Sequence, residues 1–489
     1  MENQTEWNDA AEIDNDDNTS DLFGDLYMSM VYLLALLIAG DLICGKVIKI
    51  VPPLVGQILM GIVFGPHGLD LISAYLVESW PLLGELGLVL MLCQAGLEMD
   101  FEVLQSVGPR GAFMALVGSI LPTAVGFLLA YFGLGLSVEA ALAVGCSFGP
   151  TSAGIALNVL QPCQVLKTPL GQLIVAIAIV DDIIALVVLS QLKALTAETI
   201  SASSVAIPIV SALLWLFLGG VLALYFMPWF LQNLVTFETT ILNKVSTSDS
   251  STPITVGKSI KLSHIVVLLF ALLPATYYSQ ASHLLGAFLA GLSLCQQDES
   301  AQIYNQELSK IITWLMRIFF GASIAFRIPV ELFQDGQVIG TGFLLSLALL
   351  GKIATGLLLT PMSLQPDHND GSAAAENSDS SPPRRSCYDR QHLRDSLVVG
   401  FSMAGEAEFA MLVAGFGYTE GLVTENIYAS TIFAILLSTI LSPCLLRLTL
   451  AVFPNDVESA TYNANSKEGN NGERTGEEDE PSSMTVGDA

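Results

Sequence analysis

Two adjacent acidic residues stand in the middle of an apolar run, where residues 174–186 read IVAIAIVDDIIAL. The acids are Asp181 and Asp182, and the apolar run from 170 to 192 is long enough for a helix to cross a hydrocarbon layer of about 30 Å. Inserting an ionisable side chain at that depth costs at least ~2.5 kcal/mol of free energy. Such a residue therefore needs a charged partner, a water-filled cavity or a functional role. Neighbouring helical positions point about 100° apart, so the two carboxylates are expected to meet different partners. We predict that the pair is functional rather than a device for helix packing.

The composition of the whole chain is that of a membrane protein. Apolar residues make up 52% of the 489 residues and charged residues only 13%, well below the roughly one quarter that is usual in soluble domains. Mean hydropathy is +0.60. We therefore predict an all-α membrane protein with about 13 transmembrane helices. The predicted spans are 27–45, 51–66, 82–99, 111–133, 138–160, 170–192, 204–230, 262–278, 282–296, 309–326, 338–361, 395–417 and 426–452.

Four polar segments flank or interrupt the apolar pattern. The acidic ends, residues 1–26 and 454–489, contribute much of the formal net charge of −27 and are predicted to be disordered tails. Residues 231–261 and 363–394 are predicted to be loops on the cytoplasmic side. The cysteines have no paired spacing and the histidines have no ligand spacing, so we expect neither a disulfide framework nor a zinc site.

The distribution of lysine and arginine predicts the orientation in the membrane. Only Lys193 and Arg327 fall in the predicted loops of one side, and Arg317 and Lys352 fall deep within spans. The other 15 of the 19 basic residues lie in the loops, the tail or the span ends of the opposite side. Because basic loops stay in the cytoplasm, we predict a cytoplasmic C-terminus and an extracellular or lumenal N-terminus. The plasma membrane and organelle membranes suit this orientation equally.

Lys352 is the only lysine in the interior of a predicted span, since Lys310 stands at the very end of its span, and it lies in the run LLGKIA at 349–354. It is the obvious counter-charge for one of the two aspartates, and a buried lysine titrates readily. A lysine that only neutralises Asp181 would be architectural, whereas a lysine that changes its charge would take part in the function. The residues leave both roles open.

The first of two predicted helix breaks reads GCSFGPTSAG at 145–154. Pro150 removes a backbone donor and clashes with the preceding turn, and Gly149 permits the chain to unwind. The hydroxyl of Thr151 can satisfy backbone groups that the break exposes. Lipid tolerates such a break only where the freed groups line a cavity inside the protein.

The second predicted break reads GFSMAGEAEFA at 400–410; it lacks proline but includes Gly405, Glu406 and Glu408. One break precedes the acidic pair and the other lies in the penultimate span. Two inverted repeats that each contribute a discontinuous helix to a site near the membrane midplane would produce this arrangement. Charged side chains would offset the dipoles of the half-helices, and Glu406, Glu408 and Lys352 are candidates.

Several further motifs occur along the chain. They are PLVGQILMGIVFGPHG at 53–68, ELGL at 85–88, AGLEMD at 95–100, GAFLAG at 286–291 and FFG at 319–321. Together with the aspartate pair and the Pro-Thr break, these motifs resemble the monovalent cation:proton antiporter 2 family, the Kef-type and NapA-like exchangers of Na⁺ or K⁺. The resemblance covers about 27–452 and does not include the C-terminal nucleotide-binding domain of full Kef systems.

The resemblance implies the NhaA/NapA-like fold, in which inverted repeats supply two discontinuous crossing helices. It divides the membrane domain into a core of about 111–192 and 338–452, which holds the ion site, and a dimerisation or scaffold domain of about 27–99 and 204–326. The core would slide against the scaffold in an elevator motion. A second copy of the chain would complete a homodimer.

The same resemblance implies roles for individual residues. Asp182 would bind cation and proton in competition and would be the ligand of the monovalent cation. Thr151 would lend an oxygen to the site. Asp181 would pair with Lys352 when no cation is bound.

The chain departs from the family pattern in the second break. Ala407 stands where the family usually has glycine before its glutamate, and Glu406 is an additional acid. This departure leaves the roles of Glu406 and Glu408 open.

Exchange follows from simple electrostatics, because an ionised carboxylate attracts a monovalent cation and protonation cancels that attraction. We predict a secondary transporter, not an enzyme, that exchanges Na⁺ or K⁺ for protons. Its expected partners are these ions, membrane lipid and a second copy of the chain, with no cofactor and no nucleic acid. If the aspartates and the lysine all change protonation, transport would be electrogenic. The alternatives are a channel-like effluxer, a sodium-coupled organic-anion symporter of related fold, and a membrane sensor that keeps the transporter shell.

Overall fold

The computed structural model describes most of the apolar part of the chain. The described residues are 53–72, 74–99, 101–160, 168–195, 202–230, 252–296, 298–359, 385–406 and 408–453, together with positions 24, 26–32, 35 and 40. Apart from positions 24 and 26, the predicted tails lie outside these residues, and so does much of the first predicted span. Most of the two predicted loops and Ala407 also lie outside them.

Every regular element in the described residues is helical, which confirms the predicted all-α class. The helices are α1 (Pro53–Phe64), α2 (Ala74–Leu97), α3 (Phe101–Leu128), α4 (Val138–Ser147), α5 (Ala153–Leu160), α6 (Pro169–Leu195), α7 (Ala202–Val221), α8 (Thr252–Tyr278), α9 (His283–Leu292), α10 (Asp298–Glu307), α11 (Arg317–Ala325), α12 (Gly336–Ser346), α13 (Leu349–Leu359), α14 (Arg385–Met403), α15 (Glu408–Thr419) and α16 (Glu425–Val452). Short helical turns adjoin them at Leu129–Gly133, Leu222–Phe226, Ser309–Ile311, Ile312–Met316 and Val330–Gln334.

Within the described part of the chain, 6 helical segments are long and apolar enough to cross a membrane. They are Val77–Leu97, Gly111–Gly133, Leu170–Leu192, Ala206–Phe230, Gly336–Leu357 and Glu425–Val452. Shorter apolar helices occupy Leu54–Phe64, Val138–Ser147, Leu262–Tyr278, His283–Leu292 and Phe409–Thr419. Because several predicted spans are divided or shortened in this way, the total of 13 stays a prediction.

Polar caps fix the start of two helices that lead to the buried polar residues described below. At the start of α4, the Ala140 amide donates to Ser137 Oγ at 3.3 Å. At the start of α12, the Gln337 amide donates to Asp335 Oδ1 at 2.9 Å. Amides in the first turn of a helix have no acceptor within the helix, so these side chains supply the missing partner.

Two helices begin earlier than the hydropathy pattern predicts. Helix α8 begins at Thr252, inside the predicted loop 231–261, and α14 begins at Arg385, inside the predicted loop 363–394. Hydropathy marks only the part of a helix that lies in hydrocarbon, whereas polar turns can continue the same hydrogen-bond ladder into water. The predicted loops are therefore shorter than the sequence indicates.

One group of helices packs around α2. Helix α2 packs against α9 and α11, α9 packs against α8, and α11 packs against α1. Glycine permits the closest of these approaches: Gly96 of α2 lies against the backbone of Phe288, and Gly291 of α9 lies against the backbone of Cys93. A side chain at either glycine would separate the two helices.

A second group surrounds α3 and α16. Helix α3 packs against α4, α6 and α13, while α16 packs against α12, α14 and α15. Helix α13 also packs on α14, and α15 packs on α4. The two groups meet where α6 packs on α7 and touches α9, and where α11 touches α15. At that border the Ser282 amide, at the start of α9, donates to Ser190 Oγ of α6 at 2.9 Å.

Candidate functional site

The first predicted break lies between α4 and α5. Helix α4 ends at Ser147 and α5 begins at Ala153. The Gly149 amide donates to Cys146 O at 3.3 Å and closes the last turn of α4. Pro150 follows and has no amide proton, so the ladder cannot continue through it. The backbone beyond Gly149 is therefore free to meet groups from other helices.

The second predicted break lies between α14, which ends at Met403, and α15, which begins at Glu408. The side chain of Glu408 lies outside what the structure describes. The Ser152 amide of the first break donates to Gly405 O of the second at 2.7 Å. The two interruptions therefore touch each other and form one polar region.

Lys352 reaches into this region from α13 and is fully buried. Its Nζ donates to Pro150 O at 2.6 Å and to Thr151 Oγ1 at 3.1 Å. The same Nζ lies 3.7 Å from Glu406 Oε1, and the Glu406 side chain is also fully buried. One ammonium group thus contacts both breaks.

Asp181 of α6 is 0% exposed and lies beside the Thr151 and Ser119 hydroxyls. Neither of its carboxylate oxygens makes a hydrogen bond to a described residue. No ion pair within 4.0 Å joins Asp181 to Lys352, although the two attract each other at longer range. The family resemblance implies that Lys352 pairs with Asp181, whereas the structure places Glu406 nearer to the lysine.

Asp182 is partly buried. It lines a cavity of about 240 Å³, together with Glu98 at the end of α2, Ala156 of α5 and Phe288 of α9. The adjacent carboxylates therefore meet different surroundings: Asp181 lies beside Thr151 of the first break, and Asp182 faces the cavity.

A second cavity, of about 410 Å³, lies further along the border between the two helix groups. Helices α2, α9 and α11 line one side of it, and α6, α15 and α16 line the other. Glu85 of α2 and His283 of α9 meet there, with Oε1 and Nε2 3.1 Å apart. Neither residue, nor Glu98 in the first cavity, was among the predicted site residues. For Glu85 and Glu98 the only signal is their place in the ELGL and AGLEMD motifs.

The buried polar groups suit a small cation or a proton. The carboxylate oxygens of Asp181 are buried without a hydrogen-bond partner among the described residues, whereas those of Glu406, which also lack a hydrogen bond, have the Lys352 ammonium 3.7 Å away. Buried acceptors in that state bind a positive ion or become protonated, because leaving them unsatisfied is costly. Discontinuous helices supply the same kind of oxygen-lined site in other secondary transporters.

Comparison with known proteins identifies a family that matches this chain. A family profile described as "Sodium/hydrogen exchanger, transmembrane" matches residues 31–452. The chain is similar to a Na(+)/H(+) antiporter of Enterococcus hirae, with 24% identity over 408 residues that cover 83% of this chain and 94% of the relative. It is also similar to the high-affinity Na(+)/H(+) antiporter NhaS3 of Synechocystis sp., with 25% identity over 403 residues that cover 81% of this chain and 77% of the relative.

A solved structure shares the fold. The sodium proton antiporter MjNhaP1 from Methanocaldococcus jannaschii at pH 8 superposes with a TM-score of 0.57 at 16% identity, and the match covers 88% of this chain and 100% of that one. The match confirms the predicted antiporter fold.

The predicted class of transporter, a cation:proton antiporter, is confirmed by these matches, and the apolar helices confirm an integral membrane protein. The Kef-type and NapA-like subgroup stays a prediction. With a family match that extends from residue 31 to residue 452, the chain belongs to the sodium/hydrogen exchanger family of transmembrane proteins.

Proposed function

We propose that this protein exchanges Na⁺ for protons across a membrane and that Asp182 and Asp181 carry the two ions in turn. The observation that carries the proposal is the position of the aspartate pair: Asp181 is fully buried beside Thr151 of the first break, and Asp182 lines a cavity. The names of both relatives specify Na⁺ and H⁺, which supports Na⁺ as the cation. K⁺ is the cation to compare with it.

Competition between the two ions would take place at Asp182. The ionised carboxylate attracts a cation that enters the cavity, and protonation removes that attraction. The Thr151 hydroxyl would contribute an oxygen from the first break, and it lies beside Asp181, the neighbour of Asp182. A site that crosses the membrane only when it is loaded or neutral would couple the downhill flow of one ion to the uphill flow of the other.

We propose an elevator motion for that crossing, with a core of about 111–192 and 338–452 that slides against a scaffold of about 27–99 and 204–326. The separate packing of the two helix groups supports this division. The cavities at Asp182 and at Glu85 lie at different points along the border between the groups, so sliding would close one while it opens the other. With the predicted orientation, the end of α2 beside Asp182 faces the cytoplasm.

Contact with lipid and with a second copy of the chain belongs to the same proposal. Helix α7 of the scaffold exposes a series of large apolar side chains, which are Ile207, Val210, Leu213, Leu214, Phe217 and Leu218. In a membrane this face meets lipid tails or the same face of another copy, and both occupants are apolar.

Ion flux into liposomes tests the proposal. The purified protein is reconstituted in vesicles that contain a pH-sensitive dye, a proton gradient is imposed, and Na⁺ or K⁺ is added to the wild type and to Asp182→Asn. We expect Na⁺ to dissipate the gradient with the wild type and not with Asp182→Asn. A wild type that responds to neither ion, or a variant that matches it, would contradict the proposal. Flux far above carrier rates would favour a channel, and sodium-driven anion uptake without proton movement would favour a symporter.

A further inference from the structure

We infer that Glu406, and not Asp181, is the counter-ion of Lys352, so that Asp181 remains available as a second carboxylate for the transported ions. This inference rests on the proposed function and assigns a positioning role to an acid in the second break. Glu406 would act through Lys352, without itself binding the cation.

The geometry favours Glu406 over Asp181 as the partner of the lysine. Glu406 Oε1 lies 3.7 Å from Lys352 Nζ, and both side chains are 0% exposed. Asp181 makes no ion pair within 4.0 Å among the described residues.

The donors of the lysine are already directed elsewhere. A lysine ammonium has three N–H donors. Two of them meet Pro150 O and Thr151 Oγ1, and the third has Glu406 Oε1 as the nearest acid. A direct bond to Asp181 would require one of these contacts to be given up.

The pairing has a consequence for the charge of the site. Lys352 and Glu406 together carry no net charge, and they join the first break to the second. A buried lysine without such a partner would be strongly unfavourable in a membrane interior. Asp181 is then a carboxylate whose nearest ammonium group is paired with another acid, so it can exchange a proton for the transported cation.

Transport kinetics test the inference in the reconstituted protein. Glu406→Gln keeps the shape of the side chain and removes its charge, which leaves Asp181 as the acid nearest to Lys352. We expect the lysine then to compete with Na⁺ for Asp181, so that the KM for Na⁺ rises about tenfold while kcat changes by less than about twofold. Glu406→Asp, which restores the charge, should keep the KM within about threefold of the wild type.

Glu425→Gln is the matched control, because Glu425 is an exposed residue at the start of α16. It should leave both kinetic constants unchanged. A KM for Na⁺ that does not respond to Glu406→Gln would overturn the inference while wild-type exchange upholds the proposed function. Failure of the wild type to exchange ions would remove the proposed function itself.

Thermal unfolding provides a second test that does not require transport. The Tm loss of the double variant Lys352→Gln/Glu406→Gln should be clearly smaller than the sum of the two single losses, because each single change leaves one buried charge without its partner. If a single variant is too unstable to purify but the double variant can be purified, that result also shows that the two residues are energetically coupled. The cycle of Lys352→Gln with Asp181→Asn should be close to additive. A larger coupling in the aspartate cycle than in the glutamate cycle would overturn the inference.

Discussion

The Thr151 hydroxyl stands between a buried ammonium and a buried carboxylate. It accepts from Lys352 Nζ at 3.1 Å and lies beside Asp181. Because a hydroxyl both donates and accepts, it can accept a hydrogen bond from the lysine and donate one to the aspartate. Its loss would therefore disturb two buried groups at once.

We expect Thr151→Val to raise the KM for Na⁺ about tenfold. Valine has nearly the same shape but no oxygen, and an unsatisfied buried donor costs about 1–3 kcal/mol, which corresponds to roughly five- to 150-fold in affinity. The measurement is Na⁺-dependent proton flux in liposomes over a range of Na⁺ concentrations. Thr151→Ser keeps the hydroxyl and is the control. Equal KM values for the valine and serine variants would contradict the prediction.

The acids could be located from sequence, but their partners could not. Asp181 and Asp182 are conspicuous because an apolar helix surrounds them, and their divergence follows from helical geometry. The nearness of Glu406 to Lys352 depends on how α13 packs beside the second break. The spacing of residues along the chain does not determine that distance. The expected partner of Lys352 therefore came from the family resemblance, which implies Asp181.

Helices α2 and α9 approach each other through glycine on both sides. A Cβ at Gly291 would collide with the backbone of Cys93, whereas Gly220 of α7 has nothing near the position of an added Cβ. We expect Gly291→Ala to destabilise the protein by about 1–3 kcal/mol, because the backbones must separate. Gly220→Ala should change stability by less than about 1 kcal/mol, since alanine favours a helix. Thermal unfolding of the two purified variants makes the comparison, and an equal Tm for both would refute it.

The hydrogen bond between Ser282 N and Ser190 Oγ joins α9 to α6 across the border of the two helix groups. In an elevator motion this bond exists only in the present conformation. We expect Ser190→Ala to lower the population of that conformation and to slow the reaction of a cysteine at Ala95, in the cavity of Asp182, with a membrane-impermeant thiol reagent. The labelled protein carries Ala95→Cys in a cysteine-free background.

Ser211→Ala is the matched control for that experiment. It removes the 2.6 Å hydrogen bond from Ser211 Oγ to Ser279 O, which joins α7 to the end of α8 within the proposed scaffold. The labelling rate at position 95 should then stay at the wild-type value. A rate that is equal in the two serine variants would argue against sliding at the border.

The interruptions of the crossing helices are easier to predict than the ends of ordinary ones. Gly149 and Pro150 have backbone preferences that act locally, so the end of α4 could be placed from sequence. The starts of α8 at Thr252 and α14 at Arg385 do not follow from hydropathy, because their first turns are polar and continue the helix beyond its apolar part. Hydropathy does not register that continuation.

The proposed pairing of charges predicts that the molecule as a whole moves net charge in each transport cycle, so that exchange is electrogenic. If Lys352 and Glu406 remain a neutral pair, the two aspartates can carry two protons against one Na⁺, and each cycle moves one net charge. A membrane potential of about 60 mV should then shift the Na⁺ gradient reached at equilibrium about tenfold. Vesicles in which valinomycin and K⁺ set the potential provide the measurement. A Na⁺ gradient that does not respond to voltage would indicate electroneutral exchange.

The hydrogen bond from Ser152 N to Gly405 O joins the two interrupted helices where each of them is unwound. A shift of either unwound segment would strain this hydrogen bond, so an ion bound beside one break would act on both interrupted helices. If the proposed exchange requires both breaks to move as one, coupling between the two fluxes would depend on this contact. A chain in which the two unwound segments moved separately would slip: protons would cross without sodium, and the stored gradient would be lost as heat.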